Sequence, residues 1–512
     1  WEASGHTSTF SDPMCDCLLT KKRFRADQID PLSGTVHFFK GATDEEGDKE
    51  SKDDYAVLVA TGGHPEKAIK TAKQFYKSRG LTKPSPILDR TEEVENSTGY
   101  NSENGGQLTE PREFNLMFKT YVGPVESEDN VAYLRPETAQ AIFVQFKNVD
   151  SVSRKKLPFG ICQTGKAFRN EINPRNFTFR SREFEQMELE FFIQPDEVIE
   201  AIHGRVASAD GVNEESIPQP DWGWEAWHKY WFDSRIAWYK SIGLPGDKLH
   251  IRWQTTDELA HYARATVDIE FDFPFGCQEL EGIAARGDYD LSQHQRASGK
   301  AQTVLDDDLR AALKELSDEK KQELSERYRR ARLAYLSHTD LDERQAEHLA
   351  KKDAEGFLKG NYIPHVIEPS AGVDRLALAL LCHAYEEEEI TDDKGKTETR
   401  TVLHFSPKVA PYKVGVFPLM KNNPEIVAKA KEVKALLSPL MNVFYDQTGA
   451  IGRRYRRQDE IGTPFCVTID FDSLGETPEL NDTVTLRDRD TMKQERVAIA
   501  DLPALLLKKI NR

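Results

Sequence analysis

Hydrophobic positions recur with two different periods along the chain. A period near 3.6 residues predicts helices at residues 65–79, 221–241 and 301–354. The tryptophans of the second segment are expected to be core, and the charged third segment is expected to be a mostly solvated helical insertion. Apolar and aromatic residues dominate residues 111–193, where partial alternation over 185–192 predicts a strand.

Polar stretches interrupt these patterns. Residues 41–54 carry seven acidic side chains, which predicts a solvated loop or linker. Residues 83–110 are also polar and contain glycine. An acidic run at residues 386–393 is expected to be another exposed loop.

The last part of the chain, from about residue 404, alternates short apolar runs with helical patterns. We predict strands at residues 414–419, 443–446, 465–470 and 483–487 and helices at residues 424–437, 451–460 and 499–510. Alternating β and α elements of this length predict an independent α/β domain of about 100 residues.

Composition sets the broad class. The 512 residues are too many for one hydrophobic core, and 30% charged with 38% hydrophobic residues is typical of a soluble globular protein. No apolar run is long enough for a transmembrane helix and the first residues show no signal peptide, so we expect no membrane association. Six cysteines without a C-x-x-C pair predict free thiols in a reducing cytoplasm, and Cys15 and Cys17 would need two distant ligands to bind a metal.

The net charge of −17 at first argues against a nucleic-acid partner. The distribution of charge removes this objection. Residues 404–512 hold 17 basic and 14 acidic side chains, and residues 146–190 hold nine basic and six acidic side chains. Glycine-rich phosphate loops, zinc-protease and hydrolase motifs are absent, so any nucleotide would be held by side chains.

One candidate site lies in a predicted hairpin. It contains Phe168-Arg169-Asn170-Glu171, a basic loop, and then residues 179–188, and it is expected to gather Arg169, Glu171, Arg180, Phe184 and Glu188 on one sheet face. Guanidinium groups grip phosphates bidentately, and a phenyl ring offers a surface on which a base can stack. The alternative is an ordinary hairpin laced by surface salt bridges.

A second candidate element is the run Glu368-Pro369-Ser370-Ala371-Gly372-Val373-Asp374-Arg375 before a helix that is apolar over residues 376–381. Small residues before a helix let the backbone approach a ligand closely, and Arg375 is expected to face the site. The alternative is a buried helix with a capping arginine.

Together the two elements resemble motifs 2 and 3 of the class II aminoacyl-tRNA synthetases. Further stretches resemble the homodimeric glycyl-tRNA synthetase family, namely residues 1–6, 22–27, 114–118, 134–140, 182–188, 279–284, 368–375, 462–465 and 484–490. The resemblance implies an α+β catalytic domain built on an antiparallel sheet over residues 1–403, with insertions at about 40–105 and 300–360. It also implies a C-terminal α/β anticodon-binding domain with a mixed sheet over residues 404–512.

The implied reaction joins glycine to ATP, giving glycyl-adenylate, and then transfers glycine to tRNA(Gly). The resemblance implies ATP contacts from Arg169, Asn170, Glu171, Phe179, Arg180, Phe184, Glu279, Leu280, Gly372, Val373, Asp374 and Arg375. Arg169 and Arg375 are the implied catalytic residues, and Glu279 is the implied ligand of ATP-bound Mg²⁺.

The implied glycine pocket must exclude larger side chains, and carboxylates suit it because they also bind the ammonium group. Its implied residues are Arg25, Glu137, Phe184, Glu185, Gln186, Met187, Glu188, Glu368 and Ser370. Anticodon contacts are implied for Arg453, Arg454, Tyr455 and Arg457, which lie in a basic cluster; the alternative there is a solvated charged helix.

Two rival interpretations remain. One is another class II synthetase, for threonine, proline or histidine, and the other is a non-catalytic relative such as the processivity subunit of mitochondrial DNA polymerase; the presence of Arg169 and Arg375 favours the enzyme. The family also carries an upstream segment with motif 1, which builds much of its dimer interface. We expect that segment to be either omitted from this sequence or truncated.

Overall fold

The computed structural model describes residues 1–260, 263–337, 339, 341–391, 395 and 397–511. The chain divides into two compact units. Unit 1 consists of Trp1–Gln140, Lys166–Phe184 and Arg296–Gly299, and unit 2 of Ala141–Gly165, Glu185–Gln295 and Lys300–Arg512. Within the described ranges, no helix is long and apolar enough to cross a membrane.

The elements of unit 1 are mostly strands. In chain order they are α1 (His6–Thr9), β1 (Ser11–Asp16), β2 (Arg23–Arg25), β3 (Leu32–Asp44), β4 (Glu50–Ala60), α2 (Glu66–Ser78), β5 (Pro84–Ser97), β6 (Arg112–Asn115), β7 (Lys119–Tyr121) and β8 (Val131–Tyr133). They form sheets in the orders β2-β1-β6, β4-β3-β5 and β7-β8. The predicted helix at residues 65–79 is confirmed as α2.

The interpretation of residues 41–54 as a loop is wrong over residues 41–44 and 50–54, because β3 continues to Asp44 and β4 begins at Glu50. Residues 45–49 between the two strands do form a turn, which is largely exposed. Only the inner ends of these strands are apolar, and they pack on α2, where Tyr55 and Phe75 stack with ring centroids 3.9 Å apart. The acidic outer part is mostly exposed and is held by strand pairing and by the Asp44 carboxylate, which accepts the backbone N–H groups of Thr82 and Lys83, both at 2.8 Å. The polar stretch at 83–110 likewise contains the long strand β5.

The next elements are α3 (Ala139–Ser153), β9 (Phe159–Phe168) and β10 (Glu183–Ile193), whose residues are divided between the units. Unit 2 then contains α4 (Asp196–His203), α5 (Trp224–Ser241), β11 (Leu249–Trp253), β12 (Ala265–Phe273), β13 (Gly276–Gly287), α6 (Tyr289–Ser298), β14 (Val304–Leu305), α7 (Asp307–Glu315), α8 (Asp318–Leu336), α9 (Glu343–Phe357), β15 (Asn361–Tyr362), β16 (His365–Gly372) and α10 (Val373–Ala384).

The central sheet has the strand order β11-β12-β13-β16-β10-β9. β16 pairs antiparallel with both β10 and β13, so Ser370 lies opposite Glu188 on one side and Gly282 on the other. The predicted strand at residues 185–192 is confirmed as part of β10. The aromatic helix is confirmed as α5, where Trp227 is buried and lies 4.8 Å from the ring of Phe191.

The predicted helical insertion at residues 301–354 is confirmed as α7, α8 and α9. Its core contains Leu309, Leu313, Leu324 and Phe357, while the charged positions remain largely exposed. This division follows from the helical spacing of the leucines, which places them on one face of each helix.

The remaining elements are β17 (Tyr385–Thr391), β18 (Thr397–Leu403), β19 (Val414–Pro418), α11 (Pro424–Leu437), β20 (Val443–Tyr445), α12 (Ile451–Ile461), β21 (Phe465–Ile469), β22 (Thr483–Asp488), β23 (Gln494–Ala498) and α13 (Leu502–Ile510). The last sheet is mixed, in the order β20-β19-β21-β22-β23 with two parallel and two antiparallel pairs. All the strands and helices predicted for residues 404–512 are present. The predictions missed the strand β23 and placed the start of α13 too early.

The predicted exposed loop at residues 386–393 is wrong over residues 386–391, because these form β17; residues 392 and 393 lie outside the described residues. The acidic strand exists because it pairs with β18 and because Arg400 of β18 binds Glu388 across the pair at 2.7 Å.

The fold class is therefore the expected one, an α+β region on an antiparallel sheet followed by an α/β region with a mixed sheet. The boundary at residues 403 and 404 stays a prediction. Cys15 and Cys17 are buried against Leu108, and neither belongs to a group of potential metal ligands within the part of the chain that the structure describes.

Candidate functional site

In unit 1, the guanidinium of Arg169 is held between two aromatic rings. It lies 5.3 Å from the ring centroid of Phe184 and 5.4 Å from that of Phe10, while Nε donates to the carbonyl of Pro136 at 3.1 Å. Cation–π contacts and the backbone bond fix the orientation of the charge. The sequence therefore correctly expects Arg169 and Phe184 to lie together.

A pocket in unit 1 gathers further predicted residues. Its lining contains Asp12, Met14, Phe24, Arg25, Gln28, Leu116, Glu171, Ile172, Asn173, Arg175 and Arg180. The guanidinium groups of three of these residues make the pocket suited to an anionic group, and the two carboxylates set limits on where that group can lie.

Arg25 is fixed in this pocket by two aspartates. It donates to both carboxylate oxygens of Asp27, at 3.0 and 2.6 Å, and lies 3.1 Å from Asp12. The guanidinium lowers the pKa of Asp27 and gains a higher pKa itself, whereas burial raises the pKa of Asp12. Arg25 is thus a preorganised, permanent positive charge.

The other predicted residues of unit 1 lie in defined positions. The Glu137 carboxylate is 3.0 Å from Nε2 of His6 and accepts a hydrogen bond from Gln140 at 3.3 Å. Phe179 is buried, and the backbone amide of Asn170 donates to Leu116.

In unit 2, paired strands bring the predicted glycine residues together. Glu188 is only 4% exposed and accepts hydrogen bonds from the Ser370 hydroxyl at 2.8 Å and from Gln186 Nε2 at 3.2 Å. Met187 lies opposite Ala371. These bonds hold one carboxylate at the centre of a small polar surface.

Deeper on the same strands lies a buried charge network. Arg286 donates to Glu368 at 2.7 Å and to both oxygens of Asp290 at 2.8 and 3.0 Å. Glu190 is fully buried, and neither of its carboxylate oxygens has a hydrogen-bond partner among the described residues. Burial, and then the nearby charge of Glu368, raises the pKa of Glu190 well above its usual value.

The start of α10 presents the third group of predicted residues. Gly372 is its N-cap and Val373 its first residue, and the Asp374 carboxylate accepts the backbone N–H of Glu185 at 2.7 Å. Arg375 donates to the carbonyl of Glu279 at 3.2 Å and lies 3.6 Å from its carboxylate. Leu280, between the exposed Glu279 and the buried Glu281, is itself buried.

The basic helix α12 does not present all its predicted contacts to solvent. Arg454 is 1% exposed and donates to the carbonyls of Pro418 and Gly449. The Tyr455 hydroxyl bonds to Thr468. Other members of the cluster remain accessible: Arg453 is exposed, and Arg457, which pairs with Asp446, keeps 42% of its side chain exposed.

Sequence reasoning missed several residues around the site. Asp12, Arg286, Asp290 and Glu190 lie outside the stretches that resemble the family, but Asp27 ends the stretch at residues 22–27. Arg286 and Glu190 each follow such a stretch by two positions, which was the available signal.

Comparisons with known proteins show the family of the chain. The family model described as the tRNA synthetase class II core domain (G, H, P, S and T) matches residues 118–383, and the model of the anticodon binding domain matches residues 413–509. The chain belongs to the class II aminoacyl-tRNA synthetases.

Curated relatives narrow this assignment. The chain is 42% identical to the glycine–tRNA ligase of Rhodopirellula baltica over 98% of its own length and 83% of the relative's. It is 42% identical to that of Thermus thermophilus, with coverages of 99% and 85%, and 41% identical to that of Lachnoclostridium phytofermentans, with coverages of 100% and 84%. Within the class, it belongs to the glycine–tRNA ligase family.

Proposed function

We propose that the chain activates glycine with ATP and transfers it to the 3′ end of tRNA(Gly). In the first step a glycine carboxylate oxygen attacks the α-phosphorus and pyrophosphate leaves. In the second, a hydroxyl of the terminal ribose attacks the glycyl carbonyl and AMP leaves. The substrate carboxylate is itself the nucleophile, so the protein's task is to position the substrates and stabilise charge.

The observation that carries the proposal is the buried carboxylate of Glu188, held by Ser370 and Gln186. A fixed anion in a nearly closed surface binds an ammonium group and leaves little room for a side chain next to it. Glu368 lies on the neighbouring strand, but Arg286 offsets its charge. We therefore assign recognition of the glycine ammonium group to Glu188 first, with Glu185 and Met187 as further pocket residues of unit 2. Glu137 is assigned to glycine by the resemblance alone.

The ATP contacts are assigned by the resemblance to the family. Arg169 binds the α-phosphate, Arg180 the γ-phosphate and Glu171 the adenine amino group, and Phe184 stacks on the base. Arg375, at the start of α10, is likewise assigned to the adenine. The ring contacts of Arg169 and the backbone contact of Arg375 support these roles, because both groups are oriented before a ligand arrives.

The residues also fit a magnesium ion carried by ATP. The Glu279 side chain is 54% exposed, and carboxylate oxygens are ligands that Mg²⁺ prefers. Glu279 would hold the ion, which when bound neutralises part of the phosphate charge.

We further propose a homodimer in the cytoplasm, from the resemblance to the homodimeric family. The six cysteines are all free thiols, in agreement with a reducing compartment. Sedimentation equilibrium tests the dimer, since a mass of one chain at micromolar concentration contradicts it.

ATP–pyrophosphate exchange tests the proposed activity. Glycine should support exchange and alanine and serine should not, whereas a non-catalytic relative would give no exchange with any of them. Threonine, proline and histidine are included because exchange with one of these amino acids alone would favour the rival synthetases.

The variant Arg169→Ala tests the role of the first arginine. We expect exchange to fall at least about a hundredfold, because a preorganised charge at the transition state is removed. Arg112→Ala is the matched control, since this side chain of the same unit is 75% exposed. Wild-type exchange by a folded Arg169→Ala protein would remove Arg169 from the mechanism.

A further inference from the structure

The outer end of the central sheet carries a second cluster of reactive side chains. His250 lies on β11, Asp272 on β12 and Cys277 on β13. Strand pairing sets His250 opposite Glu270 and Asp272 opposite Cys277. Directly paired residues share a sheet face, and so do residues two apart on one strand. All four side chains therefore lie on one face.

The distances between the possible donor atoms are short. His250 Nε2 lies 2.9 Å from Asp272 Oδ2, and the donor atoms of His250, Asp272 and Cys277 all lie within 4.8 Å of one another. Cys277 Sγ lies 3.6 Å from Glu270 Oε2. Zinc bonds of about 2.0–2.3 Å in a tetrahedral site imply donor atoms roughly 3.3–3.8 Å apart. Small side-chain rotations would bring His250, Asp272 and Cys277 to that geometry, and Glu270 lies next to Cys277.

The chemistry of the donors restricts the kind of ion. Imidazole and thiolate favour zinc and similar transition metals, whereas Mg²⁺ and Ca²⁺ prefer oxygen ligands alone. The cluster is open to solvent, since His250 and Asp272 keep 46% and 45% of their side chains exposed. An ion can therefore enter without a change in the fold.

We propose that His250, Asp272 and Cys277, with Glu270 as the fourth ligand, form a binding site for a divalent zinc-type ion. On binding, the Cys277 thiol loses its proton to solvent and the thiolate sulfur bonds to the metal. The ion ties the edge strand β11 to the β12–β13 hairpin. The site does not depend on the proposed ligase activity.

Cobalt(II) is the probe for the purified full chain, because thiolate coordination gives a charge-transfer band in the near ultraviolet. We expect this band to saturate at one ion per chain and to be lost when zinc is added. Cys277→Ser should abolish the band. His250→Ala should weaken metal affinity by more than about tenfold, because mutation of residues that only hydrogen-bond to metal ligands already costs at least that much.

Cys162→Ser is the matched control, since Cys162 is also an exposed free cysteine. It should leave the band unchanged. The proposal is overturned if the folded wild-type chain gives no thiolate band, if the band survives Cys277→Ser, or if His250→Ala binds cobalt as tightly as the wild type does. Circular dichroism is used to check that each of these variants is folded.

Discussion

Glu188 shows how one carboxylate can serve recognition. Its carboxylate is buried and accepts hydrogen bonds from two neighbouring donors, which stabilise a negative charge. Glu190, two residues further along the strand, has the same side chain and no hydrogen-bond partner among the described residues. The two glutamates therefore differ through their surroundings rather than their chemistry.

Glu188→Ala should raise the glycine KM in pyrophosphate exchange by about tenfold or more. A hydrogen bond to a charged group contributes about 1.5–3 kcal/mol, and 1.4 kcal/mol corresponds to a factor of ten. The KM for ATP should change little. An unchanged glycine KM in the folded variant would exclude Glu188 from the pocket.

Glu190→Gln should stabilise the protein at alkaline pH. The folded-state pKa of Glu190 is raised, so the folded chain holds this proton more tightly than the unfolded chain does. Stability is then fully present below the unfolded pKa near 4.5 and decreases as the pH rises from there toward the folded pKa. Glutamine carries no titrating proton and avoids that loss.

Thermal unfolding between pH 5 and pH 8.5 measures this effect. The Tm difference between Glu190→Gln and the wild type should grow with pH and nearly vanish at the acidic end. A variant less stable than the wild type at pH 8.5 would show that Glu190 is held as a paired anion instead.

At the level of elements, the β17–β18 hairpin is tied to the C-terminal α/β region by Arg400. This fully buried guanidinium binds Glu388 at 2.7 Å, Asp459 at 3.0 Å and the carbonyl of Arg489 at 2.6 Å. Arg487 also binds Asp459. An acidic strand that looks like a loop in the sequence is thereby part of a buried ion network.

Arg400→Ala should reduce the free energy of unfolding by about 3–5 kcal/mol, because it leaves buried carboxylate charge without its partner. Differential scanning calorimetry should show a Tm lower by several degrees. Arg330→Ala, which removes a 73% exposed guanidinium, is the control and should leave the Tm within about a degree. Equal effects of both variants would contradict a structural role for the Arg400 network.

At the level of the whole molecule, charge is distributed unevenly. Residues 404–512 carry 17 basic and 14 acidic side chains in a chain whose net charge is −17. The surface that matters for RNA is smaller than this count suggests, because Arg454 and Arg489 are buried and donate to backbone carbonyls. In the predicted anticodon cluster, Arg453 is exposed and Arg457, which pairs with Asp446, is partly exposed.

Arg453→Ala should raise the KM for tRNA in aminoacylation and leave ATP–pyrophosphate exchange unchanged. If Arg453 contacts a phosphate, the slope of log affinity against log salt should also fall by about one. Arg112→Ala should change neither the KM nor the slope. Unaltered tRNA dependence in the Arg453 variant would place the anticodon contact elsewhere.

The sequence by itself determined the elements with strong periodicity, such as α2, α5 and α11, because the spacing of apolar residues follows the geometry of the helix. Local motifs also placed Arg169, Phe184, Glu188 and Ser370 among the candidate site residues, and their roles stay a prediction.

Only the tertiary structure decided which charges are buried and what they bind. The acidic strands at residues 41–44, 50–54 and 386–391 form through pairing with partner strands, which the local spacing of apolar residues does not reveal. The Arg286 network and the buried position of Arg454 are likewise decided by the packing of the folded chain. Burial and ion pairing depend on neighbours in space, so a guanidinium that binds substrate and one that binds a backbone carbonyl look alike in the sequence.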